Sequence, residues 1–229
     1  MAPFLGWRDV PLGDLIAERT RIEPVISNDV SALMAAEHWF GVGKGLRSFA
    51  IITLGVGVGY GLVMHDRLVT HPDMGIGLVG HYPLQAGGGL CLEGHRGCAT
   101  AALTTGSLTA QASAVLQRPV SWTELLELAD RGEPAAVRLM TDAGHGLGRL
   151  VAAVANLAMP DRIVITGEGV DLARIAGQAL DEGIRADRDA RAGALDVVIS
   201  PSDSARWARG AAVVAIKDFV LRSPGTAVR

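Results

Sequence analysis

The chain has 229 residues, of which 49% are hydrophobic and 20% are charged. This balance is typical of a globular protein with room for one or two domains, and it excludes extended disorder. The formal net charge of −3 gives no general electrostatic reason to bind nucleic acid or an anionic membrane. The two cysteines lie in one loop, which favours a metal site in a reducing compartment over a disulfide framework. No signal pattern is evident, so we expect a cytoplasmic protein with no membrane partner.

The first half of the chain alternates short apolar runs with glycine-rich and polar corners. Runs of β-branched residues predict strands, and apolar spacing of three to four residues predicts a helix. Glycine at alternate positions makes the uncharged segment Ser48–Met64 a β-hairpin rather than a membrane span. The elements predicted here are a strand at Pro24–Ser27, a corner at Asn28-Asp29, a helix at Val30–Phe40, a strand at Phe49–Leu54, a glycine-rich segment at Gly55–Gly61, a resumed strand at Leu62–Met64 and a turn at Asp66-Arg67.

The second half is predicted to be mainly helical, with two further strands. Ser121 and Glu124 form a capping box, and Pro134 is suited to a first helical turn, so each marks a helix start. The predicted helices are Ala99–Leu116, Trp122–Asp130, Glu133 to Pro160, about Asp171 to Gly183, and Asp203–Leu221, and the predicted strands are Arg162–Thr166 and Val197–Ile199. Strands separated by helices of this length indicate an α/β layered fold with mostly crossover connections. We expect one domain, residues 1–221, followed by a flexible tail, residues 222–229.

Asn28 and Asp29 stand at the predicted corner between a strand and a helix. Both residue types are favoured as helix N-caps, because their side chains accept a hydrogen bond from a free backbone amide. An aspartate at the carboxyl end of a strand also lies where α/β sheets bind ligands, and there it could accept a hydroxyl proton as a general base. The sequence leaves both interpretations open.

Two glycine-containing segments, Thr53–Gly61 and Thr166–Gly169, include the ends of predicted strands. Glycine in such segments can simply allow a tight hairpin or turn. Amides that no side chain shields also form anion-binding concavities, so Thr53–Gly61 is equally a candidate phosphate cradle. The pattern is neither a Walker loop nor a dinucleotide fingerprint. At Thr166–Gly169 an ordinary turn is favoured.

The segment 77–100 carries residue types that bind metal ions within a glycine-rich loop. His81, Cys91 and Cys98 stand where three of the four ligands of a tetrahedral zinc site would stand, and Glu93 occupies the fourth position. His95 is the second candidate for that position. The alternative is a histidine with ordinary partners and two cysteines buried as small apolar residues. We expect a structural zinc ion, held more weakly than by three thiolates and one imidazole.

Taken in chain order, these motifs resemble the ROK family (repressor, open reading frame, kinase). The similar pattern runs from Leu5 to about Val220 and includes V-I-S-N-D-V, I-I-T-L-G-V-G-V-G-Y-G-L-V, the loop from His81 to Cys98, and I-V-I-T-G-E-G. The resemblance implies an actin-like ATPase fold of the ribonuclease H-like, hexokinase type, represented here mainly by its C-terminal lobe.

The resemblance also implies roles for individual residues. Asp29 corresponds to the catalytic base and Asn28 to a sugar-binding neighbour, while His81 corresponds to a zinc ligand that also contacts the sugar. The remaining correspondences are Gly55, Gly57 and Gly59 to a nucleotide phosphate loop, Gly167 and Gly169 to the turn beside the adenosine, and Cys91 and Cys98 to zinc ligands.

Three positions depart from the family pattern. Leu78 and Thr100 stand where sugar-binding glutamates belong, and Ser31 replaces the second asparagine of N-D-x-N. An apolar side chain cannot accept the hydrogen bonds of sugar hydroxyls, and each buried polar group left unpaired costs about 1–3 kcal/mol. Hexose affinity of the usual family kind is therefore expected to be poor.

The family's first half carries a D-x-G-x-T phosphate loop, preceded in its repressors by a helix-turn-helix, and the pattern in this chain starts after both. We therefore expect the sugar-sensing and homodimer-forming part of a ROK-type transcriptional regulator. Such a part would contact DNA only through a separate domain. It would not use ATP, so Asp29 would be a vestigial catalytic residue. The alternatives are an ATP-dependent sugar kinase with Asp29 as general base, or a degenerate remnant that binds no small molecule.

Overall fold

A computed structural model describes residues 6–221, so the predicted tail, residues 222–229, lies outside the described residues. Internal contacts divide the described residues into two compact units, one drawn from those up to 44 and from 203 onward, and the other from residues 45–202. Each unit is described by itself below. The single domain expected over residues 1–221 remains a prediction.

The second unit is built on one five-stranded mixed sheet. In sheet order the strands are β3 (Arg67–Leu68), β2 (Val58–Met64), β1 (Phe49–Leu54), β4 (Arg162–Thr166) and β5 (Val197–Ile199). In this sheet β2 is antiparallel to β1, whereas β4 runs parallel to β1 and β5 runs parallel to β4. Every residue of β1 is buried, because helices and neighbouring strands cover both of its faces.

Six helices of the second unit pack around this sheet. The helices are α3 (Ala99–Leu103), α4 (Thr105–Leu116), α5 (Trp122–Asp130), α6 (Pro134–Ala158), α7 (Asp171–Ile175) and α8 (Gly177–Asp187). The main apolar core joins β1 and β4 to the buried faces of the long helix α6 and of α3, α5 and α8. No helix within residues 6–221 is long and apolar enough to cross a membrane.

Glycines allow α6 and α8 to cross at unusually short range. Gly148 on α6 faces the backbone of Leu180 and Gly183, and a Cβ atom at Gly148 would overlap the Leu180 oxygen. A Cβ atom at Gly183 would in turn overlap the backbone oxygen of His145. The two backbones therefore touch directly, and any side chain at either glycine would force them apart.

The first unit contains α1 (Leu12–Thr20), α2 (Asp29–Phe40) and α9 (Ser204–Leu221), of which α2 and α9 pack against each other. Glu37 is a buried acid on α2, with 4% of its surface exposed. Its carboxylate accepts a hydrogen bond from the amide of Val42 at 2.9 Å and lies 3.6 Å from the guanidinium of Arg206 on α9. A buried charge is tolerated here because it is paired.

Most predicted elements are confirmed, but one predicted strand is absent and four boundaries are wrong. The strand predicted to resume at Leu62 already begins at Val58. Pro24–Ser27 forms no strand and pairs with none of the described strands; the side chains of Val25 and Ile26 are exposed. The predicted helix over 99–116 is two helices, because the Thr104 hydroxyl accepts the amide of Ser107 and starts α4 anew. The predicted helix over 171–183 divides at Ala176, and its second part continues to Asp187. The turn after β2 consists of His65 and Asp66, while Arg67 already belongs to β3.

Substituting Gly148 tests the close crossing of α6 and α8. The change Gly148→Ala should lower the free energy of unfolding by about 1–3 kcal/mol, since the added methyl group overpacks the contact with Leu180. The matched control is Gly106→Ala on α4, where no atom lies within 4 Å of the added methyl group. That variant should be unchanged or more stable by up to about 1 kcal/mol. Equal urea midpoints for the two variants would contradict the crossing.

Candidate functional site

The loop between the 3₁₀ helix Leu78–His81 and α3 is held in shape by its own backbone. The amides of Leu84 and Gln85 both donate to the Gly97 oxygen, at 2.8 and 2.9 Å, and the amide of Cys91 donates to the His95 oxygen at 2.9 Å. Gly97 has a φ of +61°, and a Cβ atom there would overlap the Gln85 oxygen. Only glycine fits this position, so the turn before Cys98 is fixed by sequence.

Three side chains of this loop converge with the geometry of a metal site. The Nδ1 atoms of His81 and His95 are 3.0 Å apart, and the Cys91 sulfur lies 3.9 Å from the first and 3.6 Å from the second. Around a tetrahedral zinc ion, ordinary bond lengths place two nitrogen ligands about 3.3 Å apart and nitrogen and sulfur about 3.6 Å apart. His81, Cys91 and His95 therefore fit zinc, which would tie the two ends of the loop together.

Cys98 and Glu93 also lie beside this cluster. Cys98 is 1% exposed, and its burial raises the pKa of its thiol. The exposed Glu93 hydrogen-bonds with Cys91, and this bond is the main reason that the pKa of Glu93 is lowered. The predicted ligand set of His81, Cys91, Glu93 and Cys98 remains a prediction. Among the described residues, it is His95, the second candidate for the fourth position, that shares the tight cluster with His81 and Cys91.

Asn28 and Asp29 open α2 in the first unit. The Asn28 side-chain oxygen accepts the amide of Ser31 at 3.1 Å, which confirms the helix N-cap. The Asp29 carboxylate is exposed and accepts the amide of Val30 at 2.8 Å. Both side chains have a local structural role, and their roles in sugar binding and catalysis remain predictions.

Two of the positions that depart from the family pattern lie next to His81 in the second unit. Leu78 belongs to the same 3₁₀ helix as His81, and its side chain is 62% exposed. Thr100, on α3, contacts that helix, because a Cβ atom at Gly80 would lie only 2.7 Å from the Thr100 hydroxyl. The fold thus places Thr100 against Gly80, within the short helix that carries Leu78 and His81.

The parallel pairing of β1 with β4 brings three of the predicted nucleotide-binding glycines together. Gly55 follows β1, and Gly167 and Gly169 follow β4. The Gly169 amide donates to the Leu54 oxygen at 2.8 Å, and Gly167 has a φ of +102° that lets its α-carbon lie against the Leu54 backbone. Of the other two, Gly57 accepts the amide of Gly55 in the turn and Gly59 pairs with Thr53 inside the hairpin.

Glu168 is a residue of this edge that the sequence prediction missed. Its Oε2 atom would lie 3.2 Å from a Cβ atom placed on Gly55, so its carboxylate covers the first glycine of the hairpin turn. The sequence did offer one signal for it, the acidic residue in the middle of T-G-E-G. That this residue lies over Gly55 could be found only from the pairing of β1 with β4. The backbone oxygen of Gly55 accepts the amide of Thr105 at 3.0 Å.

Comparison with known proteins agrees with this fold. A sequence model of the ROK family matches residues 1–218. The glucokinase of Thermotoga maritima is 32% identical over 185 residues, which cover 74% of this chain and 58% of that protein. The DNA-binding transcriptional repressor Mlc of Escherichia coli is 26% identical over 187 residues, which cover 78% of this chain and 46% of that protein. The ROK hexokinase of Thermus thermophilus has a TM-score of 0.78 at 26% identity, and the match covers 92% of this chain and 72% of that one.

The mixed sheet with its flanking helices is that of the actin-like ATPases. Within that class, the chain belongs to the ROK family. The family includes both sugar kinases and transcriptional repressors among the relatives of this chain. The chain spans about half the length of the curated relatives it matches, with 46–58% of each covered.

Metal analysis of variants tests the candidate zinc site. Protein purified without chelator should carry roughly one zinc per chain. Cys91→Ser and His95→Ala should each lose most of it, and His95→Ala should lose more than Glu93→Ala, since His95 lies within the cluster. His71→Ala is the control, because His71 pairs with Asp73 outside this loop. Zinc that is absent from the unaltered protein, or that His95→Ala retains in full, would contradict the site.

Proposed function

We propose that this chain is the sugar-sensing part of a ROK-type transcriptional regulator and that it does not transfer phosphoryl groups to hexoses. The observation that carries the proposal is the position of Glu168 over Gly55. DNA contacts would belong to a separate domain. Self-association belongs to the same proposal and is measurable as a dimer mass by light scattering. The two free cysteines agree with a reducing compartment such as the cytoplasm.

Glu168 acts against nucleotide binding through its charge. A glycine turn binds phosphate by presenting backbone amides to it, and the attraction depends on a locally positive potential. The exposed carboxylate of Glu168, lying against Gly55, lowers that potential and repels a polyphosphate. Catalysis of phosphoryl transfer depends mostly on positioning and on neutralising the charge of the transferred group. An acidic side chain at this turn opposes both requirements.

The sugar-binding side supports the same conclusion. Leu78 and Thr100 replace the two glutamates of the family pattern and lie together with His81. A carboxylate can accept hydrogen bonds from two neighbouring hydroxyls, whereas leucine accepts none and threonine has a single hydroxyl. These replacements suit a sensor that recognises an altered sugar or responds at high concentration. They do not suit a kinase that must hold a hexose hydroxyl in line for attack.

A sugar kinase is the second candidate, and one observation favours it. The chain is 30% and 32% identical to two glucokinases but 22–26% identical to the repressors it matches. In such a kinase the exposed Asp29 carboxylate would accept the proton of a sugar hydroxyl. The hydroxyl oxygen would form a bond to the γ-phosphorus of the nucleotide while the bond from that phosphorus to the β–γ bridging oxygen breaks, which releases the nucleoside diphosphate.

Restoring the two carboxylates tests the sugar side of the proposal. The unaltered protein should release no ADP above background with a panel of hexoses and amino sugars. The double variant Leu78→Glu, Thr100→Glu should bind glucose at least about tenfold more tightly by calorimetry, because it supplies hydrogen-bond acceptors worth about 1–3 kcal/mol each. Leu92→Glu is the control, since Leu92 is fully exposed in the same unit. Turnover in the unaltered protein that disappears in Asp29→Asn would establish the kinase instead.

Removing the charge of Glu168 tests the nucleotide side. Glu168→Gln should bind an ATP analogue about three- to tenfold more tightly than the unaltered protein, because one unit of repulsion is removed while the shape is kept. The difference should shrink as salt is raised, since salt screens exposed charges. The control is Glu182→Gln, an exposed acid on α8 whose partner is Gln178. Equal affinities for Glu168→Gln and the unaltered protein at low salt would refute this role.

A further inference from the structure

A cavity of about 480 Å³ lies in the second unit, on the side of the glycine run Gly87–Gly89 that faces α3, α4 and α6. Its size is within the range of small-molecule sites, roughly 300–1,000 Å³. None of Asn28, Asp29 and His81 lines it, so the residues assigned to the sugar in the proposed function are not part of it.

The polar part of the cavity wall offers hydrogen-bond acceptors. The Gln85 amide nitrogen donates to the Asp142 backbone oxygen at 3.0 Å, and the Gln111 amide nitrogen donates to the oxygens of Ala101 and Ser107, at 3.3 Å each. Each glutamine keeps its side-chain oxygen as an acceptor, and Gln85 also keeps the second hydrogen of its amide nitrogen as a donor. A hydroxyl group, which both donates and accepts hydrogen bonds, matches this wall.

The charge of the wall is balanced. Asp142 is the one acidic residue among the lining residues, and its carboxylate accepts the guanidinium of Arg138, the residue one helical turn before it, at 3.0 Å. This carboxylate would repel an anion, and the lining contains no basic residue to offset the repulsion. A strongly cationic ligand would have to compete with Arg138. An uncharged ligand fits this wall best.

The remaining lining is apolar and consists mainly of small side chains. Ala101, Ala102 and Ala143 form this part together with Leu108 and Leu139, and all except Leu139 are buried. The glycine run in the lining has no side chains, so a ring could lie against the backbone there. A lining with both apolar atoms and acceptors suits a ring that has one aliphatic face and hydroxyl groups at its edge.

We propose that this cavity is a second small-molecule site, for an uncharged, hydroxyl-rich ring of monosaccharide to disaccharide size. The ring packs on the alanines of α3 and α6, and its hydroxyls donate to Gln85, Gln111 and Asp142. The site shares no lining residue with the proposed sugar residues or with the metal cluster, although Gln85 and the glycine run belong to the same loop as that cluster. It would make the protein responsive to a neutral polyol or saccharide even where Leu78 and Thr100 weaken the other sugar position.

An NMR titration with D-glucose, N-acetylglucosamine and sucrose as probes tests the site. At least one probe should shift amide signals of Ala101, Gln111 and Leu139, and Gln111→Ala should weaken its binding about fivefold or more. Gly87→Phe should abolish binding by filling the cavity, and it should fold, because no atom lies within 4 Å of a Cβ atom at Gly87. Gly193→Phe is the matched control at an equally open glycine, and it should bind as the unaltered protein does.

The outcomes separate this site from the proposed function. Binding that survives Asp29→Ala but is lost in Gly87→Phe supports the cavity, whatever the kinase assay shows. Binding that is lost in Asp29→Ala and kept in Gly87→Phe assigns the sugar to the other residues and overturns this inference. The absence of shifts with all three probes overturns it as well, as does binding that neither Gln111→Ala nor Gly87→Phe alters.

Discussion

The parallel pairing of β1 with β4 is the constraint on which the candidate site depends. It aligns the ends of two strands that are more than a hundred residues apart in sequence, and so places Gly55 beside the turn Gly167–Gly169. The contact is made by backbone atoms, since Gly167 lies against Leu54 without a side chain between them. What this edge of the sheet can bind or repel, including the effect of Glu168, depends on how closely the ends of these two strands approach each other.

The candidate metal loop follows a different principle, because it has little apolar core of its own. Only Cys91, Cys98 and Ala101 form a small buried cluster there, and several of the loop's other residues, among them Leu90 and Leu92, are exposed. Backbone hydrogen bonds around Gly97 hold the loop instead, and a metal ion bound by His81, Cys91 and His95 would add a cross-link. Small segments that cannot bury enough apolar surface commonly depend on such cross-links.

The sequence predicts regular elements and local caps well because these depend on neighbouring residues. The N-cap at Ser121, the helix start at Pro134 and the hairpin of alternating glycines all form as the pattern indicates, whereas the Glu124 carboxylate of the predicted capping box pairs with Arg118 instead. Prediction from the sequence fails where a single side chain decides whether a helix continues or starts anew, as Thr104 does. It also fails where a β-branched run pairs with no strand, as residues 24–27 show. Family resemblance identifies the fold and the loop, but not the position of Glu168 over Gly55 or of His95 beside His81. Both depend on distances between segments, which spacing along the chain does not encode.

The short helix α3 has a consequence for the evolution of this chain. It begins directly after Cys98, and the residue that follows its C-cap, Thr105, donates its amide to Gly55. One end of a five-residue helix is thus fixed in the metal loop and the other at the glycine turn. Each residue of a helix advances about 1.5 Å and turns about 100°. A single inserted or deleted codon in α3 would rotate Thr105 away from Gly55, so this stretch can change its residue types far more readily than its length.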